Sequence, residues 1–231
     1  MALKAVIFDA GNTLMLINYG VVVEALAAEG YSVDEAAVRE AEYRARVRLD
    51  PILARRNSTE APRIFQMYMQ FVCEGINVPW GEAAGRALGR MAEYHRAQNL
   101  WNRLNPQAPT VLRMLRDRGL ALGMISNSNG WVERLVTQSG MRSYFRFVLD
   151  SRLVGVEKPD PRIFQLALDR IGISPDEALY IGDLYSVDVV GSRAAGMCAI
   201  LLDPAGLWNH VDCHKARDLS EAADVILTQL L

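Results

Sequence analysis

Short apolar runs of strand length recur along the chain, at residues 5–8, 120–125, 145–149, 179–181, 198–202 and 225–227. Helical patterns lie between most of them. Residues 109–118 place Val111, Leu112 and Leu115 on one face and stop at Gly119. The same design recurs at 161–171, closed by Gly172, and at 188–195, closed by Gly196. Glycine just past the last periodic residue is a helix stop signal. Strands alternating with helices in this way predict an α/β fold, a Rossmann-like parallel sheet covered by helices on both faces.

Residues 15–99 break the rhythm. They hold no convincing strand and read as four helices, at 21–29, 33–48, 62–74 and 81–98. Gly30, the turn at 56–59 and the break at 77–79 punctuate them. The pattern predicts an α-helical cap domain at 15–99, inserted into a core domain made of 1–14 and 100–231. A helical face continuous with the core is the alternative.

Composition narrows the class. The chain of 231 residues is 51% hydrophobic and 23% charged, as in ordinary globular domains. Its 25 basic and 27 acidic residues leave a net charge of −2, so no charge excess favours nucleic acid or an anionic membrane. No apolar stretch approaches the roughly 18 residues of a transmembrane helix. The early first strand leaves no room for a signal peptide, and the expected location is cytoplasmic. Cys73, Cys198 and Cys213 are widely spaced, which speaks against a disulfide framework or a zinc site. Cys198, in an apolar run, reads as a small buried hydrophobe.

Four places carry chemistry. Asp9 ends the first run, where open α/β sheets bind ligands, although strand-end aspartates also cap turns. Ser126 and Asn127 follow the second run, where a hydroxyl and backbone N–H groups hold a phosphate oxygen or cap a helix. Lys158 is the only lysine between Lys4 and Lys215 in a chain that otherwise uses arginine. A lone lysine suggests a compact point charge, or else an ordinary surface residue. Gly182-Asp183 with Asp188 after it offers hard carboxylate oxygens suited to Mg²⁺.

In this order and spacing the four resemble the motifs of the haloacid dehalogenase superfamily, in the branch with a helical cap after the first motif. The surrounding Gly155-x-x-Lys158-Pro159-Asp160-Pro161 and Gly191-x-Arg193-Ala194-Ala195-Gly196 agree with it. The resemblance covers 3–14 and about 100–228, whereas 15–100 matches in position and helical character only. It implies a hydrolase in which Asp9 is a nucleophile, Lys158 and Ser126 are catalytic partners, and Asn12, Thr13 and Asn127 bind substrate. It further implies Mg²⁺ held by Asp9, the Gly11 backbone carbonyl, Asp183 and Asp188. The expected substrate is a small phosphorylated metabolite, hydrolysed through an aspartyl-phosphate.

Gly11 departs from the pattern, because phosphatases of this kind usually carry an acid–base aspartate there. A metal-independent 2-haloacid dehalogenase-like hydrolase also lacks that aspartate, but it does not need the Asp183/Asp188 pair. A phosphonoacetaldehyde hydrolase needs a cap lysine, and 15–100 contains none. A catalytically weak binding or regulatory protein is the alternative outside enzymes. Arg44, Arg46, Arg48, Arg55, Arg56 and Arg63 read as a solvated helix face before a substrate-reading cluster. His95 reads as structural, and Asn18, Tyr19 and Trp131 are candidate cleft residues.

Overall fold

The computed structural model describes residues 2–56 and 62–230. The first apolar run forms β1 (Ala5–Phe8), with every residue buried. After β2 (Met15–Leu16) come four helices, α1 (Tyr19–Ala27), α2 (Glu35–Arg56), α3 (Pro62–Gly75) and α4 (Glu82–Gln98). β3 (Arg103–Leu104) then pairs antiparallel with β2, so the entry and exit of the helical segment form one short ribbon. The expectation of no strand within 15–99 missed β2, since two residues carry no periodicity. The turn expected at 56–59 falls largely outside the described residues.

The remaining chain alternates as its pattern implies. It runs through α5 (Ala108–Asp117), β4 (Ala121–Ser126), α6 (Val132–Gln138), β5 (Phe147–Asp150), α7 (Ser151–Val154) and α8 (Pro161–Ile171). It closes with β6 (Ala178–Gly182), α9 (Val190–Ala194), β7 (Cys198–Leu202), β8 (His214–Ala216) and α10 (Leu219–Val225). Six parallel strands form one sheet in the order β5-β4-β1-β6-β7-β8. This is the expected α/β, Rossmann-like arrangement. Strand order reverses at β1, which lies between β4 and β6, and a crevice opens at such a switch point beyond the carboxyl ends of the strands.

Three expectations need correction. Residues 225–227 end α10 and enter a further helical turn, Ile226–Leu230. Leu219, Ala222, Ala223 and Ile226 are its buried positions, a helical spacing that a three-residue apolar run does not reveal. The sixth strand is β8, whose His214 and Lys215 are exposed at the sheet edge and so form no apolar run. Cys198 is exposed rather than buried, because β7 begins there, before the strand passes under its helices.

The helical segment has its own apolar core, including Leu26, Ala41, Leu53, Met69, Ala87 and Met91, joined by Val187 from the segment after β6. Polar ties reinforce the junction. Asp50 of α2 accepts hydrogen bonds from the backbone N–H and the hydroxyl of Ser186, each at 2.8 Å.

Candidate active site

Asp9 stands one residue beyond β1, and its backbone N–H donates to the Ile181 carbonyl at 2.8 Å. Sheet pairing with β6 thus extends to the base of the side chain and fixes where the carboxylate emerges. Lys158 is 2% exposed and donates from Nζ to Asp9 Oδ1 at 2.5 Å, Asp188 Oδ1 at 2.6 Å and the Tyr180 hydroxyl at 2.9 Å. The Asn127 amide holds the lysine's backbone in place. It accepts from the Lys158 N–H and donates to the Lys158 carbonyl, each at 2.8 Å.

Asp188 is fully engaged. Its other oxygen, Oδ2, accepts from the backbone N–H groups of Asp183 at 3.0 Å and Leu184 at 2.9 Å. Gly182 makes this possible, since a Cβ there would lie 2.3 Å from Asp188 Cγ. Carboxylate oxygens of Asp9, Asp183 and Asp188 lie within 4.8 Å of one another, a hard donor set that fits a cation such as Mg²⁺. With both Asp188 oxygens committed, Asp9 and Asp183 are the members best placed to meet an ion directly.

Burial raises the Asp9 carboxyl to about 6, with the Lys158 charge opposing and the Asp188 charge adding to the rise. Burial also pushes Asp183 well up, against the pull of Arg46. For Lys158 burial disfavours the charge, but the Asp188 and Asp9 carboxylates outweigh it and hold the ammonium well above its usual range.

From the helical segment, Arg46 reaches the same site. It is 4% exposed, and its Nη1 donates to Asp183 Oδ2 at 3.2 Å. Glu42, one turn earlier on α2, aims it. Arg46 Nη2 donates to Glu42 Oε2 at 2.9 Å, and Arg46 Nε makes an ion-pair contact with Glu42 Oε1 at 2.7 Å. The hydroxyls of Tyr19, at 3.2 Å, and Tyr68 donate to the same carboxylate. Burial, together with the Glu42 charge, keeps both phenols protonated. The expected solvated face therefore fails at Arg46. Among the described residues of α2 the buried positions are Val38, Ala41, Glu42, Ala45, Arg46, Leu49, Asp50 and Leu53, so Glu42, Arg46 and Asp50 share the apolar stripe. A charged i, i+4 pair inside such a stripe was the missed signal.

At Gly11 a Cβ would meet the Trp101 ring, 3.5 Å from its Cδ1. Asn12, with a left-handed φ of 54°, accepts from Trp101 Nε1 at 3.0 Å and donates weakly to Asp183 Oδ2 at 3.4 Å. Asp9, Gly11, Asn12, Ser126, Asn127, Lys158, Asp183 and Asp188 all line one cavity of about 800 Å³. Thr13 does not line it. It is fully buried, its hydroxyl is unpartnered, and its carbonyl accepts from Asn105 Nδ2 at 2.9 Å. Asn18, Tyr19 and Trp131 are likewise outside the lining, whereas His95 is part of it.

The family model for haloacid dehalogenase-like hydrolases matches residues 3–196. The chain belongs to that family. Haloacid dehalogenase-like hydrolase domain-containing protein 3 of Bos taurus is 30% identical over 217 residues, 89% of this chain and 86% of the relative. The Mus musculus form aligns over 38% of its own length. Phosphoserine phosphatase of Thermus thermophilus is 41% identical over 101 residues, spanning 43% of this chain and 41% of that enzyme. The chain thus spans about two fifths of these two relatives in the aligned stretches. A solved 2-haloacid dehalogenase from Pseudomonas syringae is 25% identical, with a TM-score of 0.59 over 97% of this chain and 98% of that one.

Proposed function

We propose that this hydrolase is a Mg²⁺-dependent phosphatase of a small phosphorylated metabolite, acting in the cytoplasm through an aspartyl-phosphate on Asp9. The observation that carries the proposal is the buried convergence of Asp9, Lys158 and Asp183 at the switch point of the sheet. Likeness to a named phosphoserine phosphatase supports the reaction class. Asp9 attacks phosphorus, splitting one difficult displacement into two. Lys158 offsets the charge of the phosphoryl group, and Ser126 with nearby backbone N–H groups positions its oxygens. Asn12 and Asn127 orient the walls of that subsite, and Thr13 supports its loop from beneath. Asp9, Asp183 and the Gly11 carbonyl would hold Mg²⁺, with Asp188 completing the acidic set from behind through the Asp183 backbone, and the ion supplies positive charge against the phosphoryl oxygens when bound. Residues 15–99 serve as a cap domain on the 1–14 and 100–231 core and exclude water. Gly11 leaves the leaving group without the usual acid.

A second reading is a metal-independent dehalogenase-like hydrolase. Arg46 favours it, because its guanidinium already neutralises Asp183. The solved dehalogenase supports it as well. A panel of phosphorylated metabolites and 2-haloacids, assayed with Mg²⁺ and with excess chelator, separates the two. Phosphate release that needs Mg²⁺ supports the first. Halide release in chelator supports the second. No turnover of either class leaves a binding protein.

A further inference from the structure

The cavity of about 800 Å³ is far larger than a phosphoryl group needs. Its charged floor is Asp9, Lys158 and Asp183, and the helical segment supplies the opposite wall. That wall is apolar and aromatic, with Leu53, Ile64, Phe65, Leu88 and Trp101 prominent in it. The rings are mutually braced. Phe65 stacks on His95 with centroids 5.7 Å apart, and Tyr68 stacks on Trp101 at 6.2 Å. The Leu100 N–H donates to His95 Nδ1 at 3.1 Å, which places the imidazole proton on Nε2 and makes His95 a neutral member of the wall. Burial lowers its affinity for a second proton. The Arg46 charge is spent on Glu42 and Asp183, and Gln66 and Arg96 are exposed. Among the described lining residues the helical wall contributes no carboxyl group, and Glu157 lies on the Lys158 loop instead.

The site beside Asp9 supplies an independent observation. Gly11 removes the carboxyl that would protonate a leaving oxygen, and the Trp101 indole borders the space it vacates. A leaving group that departs without a proton must be stable as an anion. One that fills this wall must be planar and apolar. Resting on the phosphatase reading above, we propose that the cavity takes aryl phosphate monoesters, with the aryl ring against Phe65 and Trp101 and the phosphoryl group at Asp9. An Asp9 oxygen forms a bond to phosphorus as the ester P–O bond breaks, and the phenolate leaves with the bonding pair. Water then cleaves the acyl phosphate, regenerating the Asp9 carboxylate and releasing inorganic phosphate and a proton.

Binding of non-hydrolysable phosphonates to the Mg²⁺-supplemented protein, measured by calorimetry, tests the aryl site apart from turnover. 1-Naphthylphosphonate should bind at least about tenfold more tightly than methylphosphonate, the scale of one well-placed aromatic contact. Phe65→Ala should lower naphthyl affinity by about tenfold more than methyl affinity, and Phe65→Leu, which keeps apolar volume, by less. Equal affinities for the two ligands, or a Phe65→Ala protein with the naphthyl preference intact, would overturn the proposal. Naphthyl preference without hydrolysis of any phosphate ester would uphold the aryl site and sink the phosphatase reading.

Discussion

Lys158→Met is the perturbation whose cost follows most directly from the geometry. The Lys158 ammonium sits between Asp9 and Asp188 at 2.5 and 2.6 Å, with all three groups buried. Methionine fills much of the same volume but removes the positive charge. Arg46 then becomes the cation nearest the cluster, and it is already paired with Glu42 and Asp183. Removing one partner of a buried ion pair typically costs about 3–5 kcal/mol. Two carboxylates lose their partner here, so the upper end of that range is expected at pH 8. Relief comes through protonation. Without the lysine charge, which opposes the rise caused by burial, Asp9 binds a proton more readily in the folded state, so the destabilisation should shrink as pH falls toward 5. Urea unfolding of wild type and variant at pH 8 and pH 5.5, in chelator, measures both quantities. A loss under about 1 kcal/mol at pH 8, or one that does not change with pH, would refute the assignment of Lys158 as the charge holding the cluster together.

Three further outcomes are expected. Arg46→Met strands the Glu42 carboxylate among tyrosine hydroxyls and should cost about 3–5 kcal/mol by urea unfolding, with partial recovery in the Arg46→Met/Glu42→Gln double variant; additive losses would mean the pair is not coupled. Gly11→Asp meets Trp101 only at ordinary contact distance, so it should fold and raise turnover of alkyl phosphates by up to about 10²-fold; a folded variant with no gain on any ester would count against a simple missing acid. Asp9 holds its proton up to about pH 6 in the folded protein but only to about 3.9 when unfolded, so its contribution favours folding at low pH and is lost as pH rises between those values, by about 3 kcal/mol. The stability of metal-free Asp9→Asn relative to wild type should therefore fall by a comparable amount between pH 7 and pH 4, as read by denaturant titration; a difference that does not change with pH would contradict it.

The sheet was legible in the sequence because strands buried on both faces are apolar nearly throughout, as β1, β4 up to Ser126, β6 and β7 are. β8 was not, being three residues long at the exposed edge. Asp9, Lys158, Asp183 and Asp188 were readable because each sits at or near a strand end or in a distinctive loop, and the fold brings them to one point. Glu42 and Arg46 escaped notice because charge in a helix is ordinarily solvated, and only the register of α2 turns these two inward. Asn127 lines the cavity, and its side chain also ties down the Lys158 backbone, a second role that its place after β4 does not announce. Trp101 lies three residues past the end of α4, and nothing in its local sequence says that its ring faces Gly11.

Turnover through Asp9 requires a covalent phosphoryl group on its carboxylate. Acid quenching during turnover of an aryl phosphate in Mg²⁺, followed by peptide mass spectrometry, reads it directly. One phosphoryl group on the peptide carrying Asp9 is predicted, absent in chelator and absent in Asp9→Asn. Steady phosphate release by the wild type with no adduct at Asp9, together with release by a verified Asp9→Asn preparation at near wild-type rate, would contradict it.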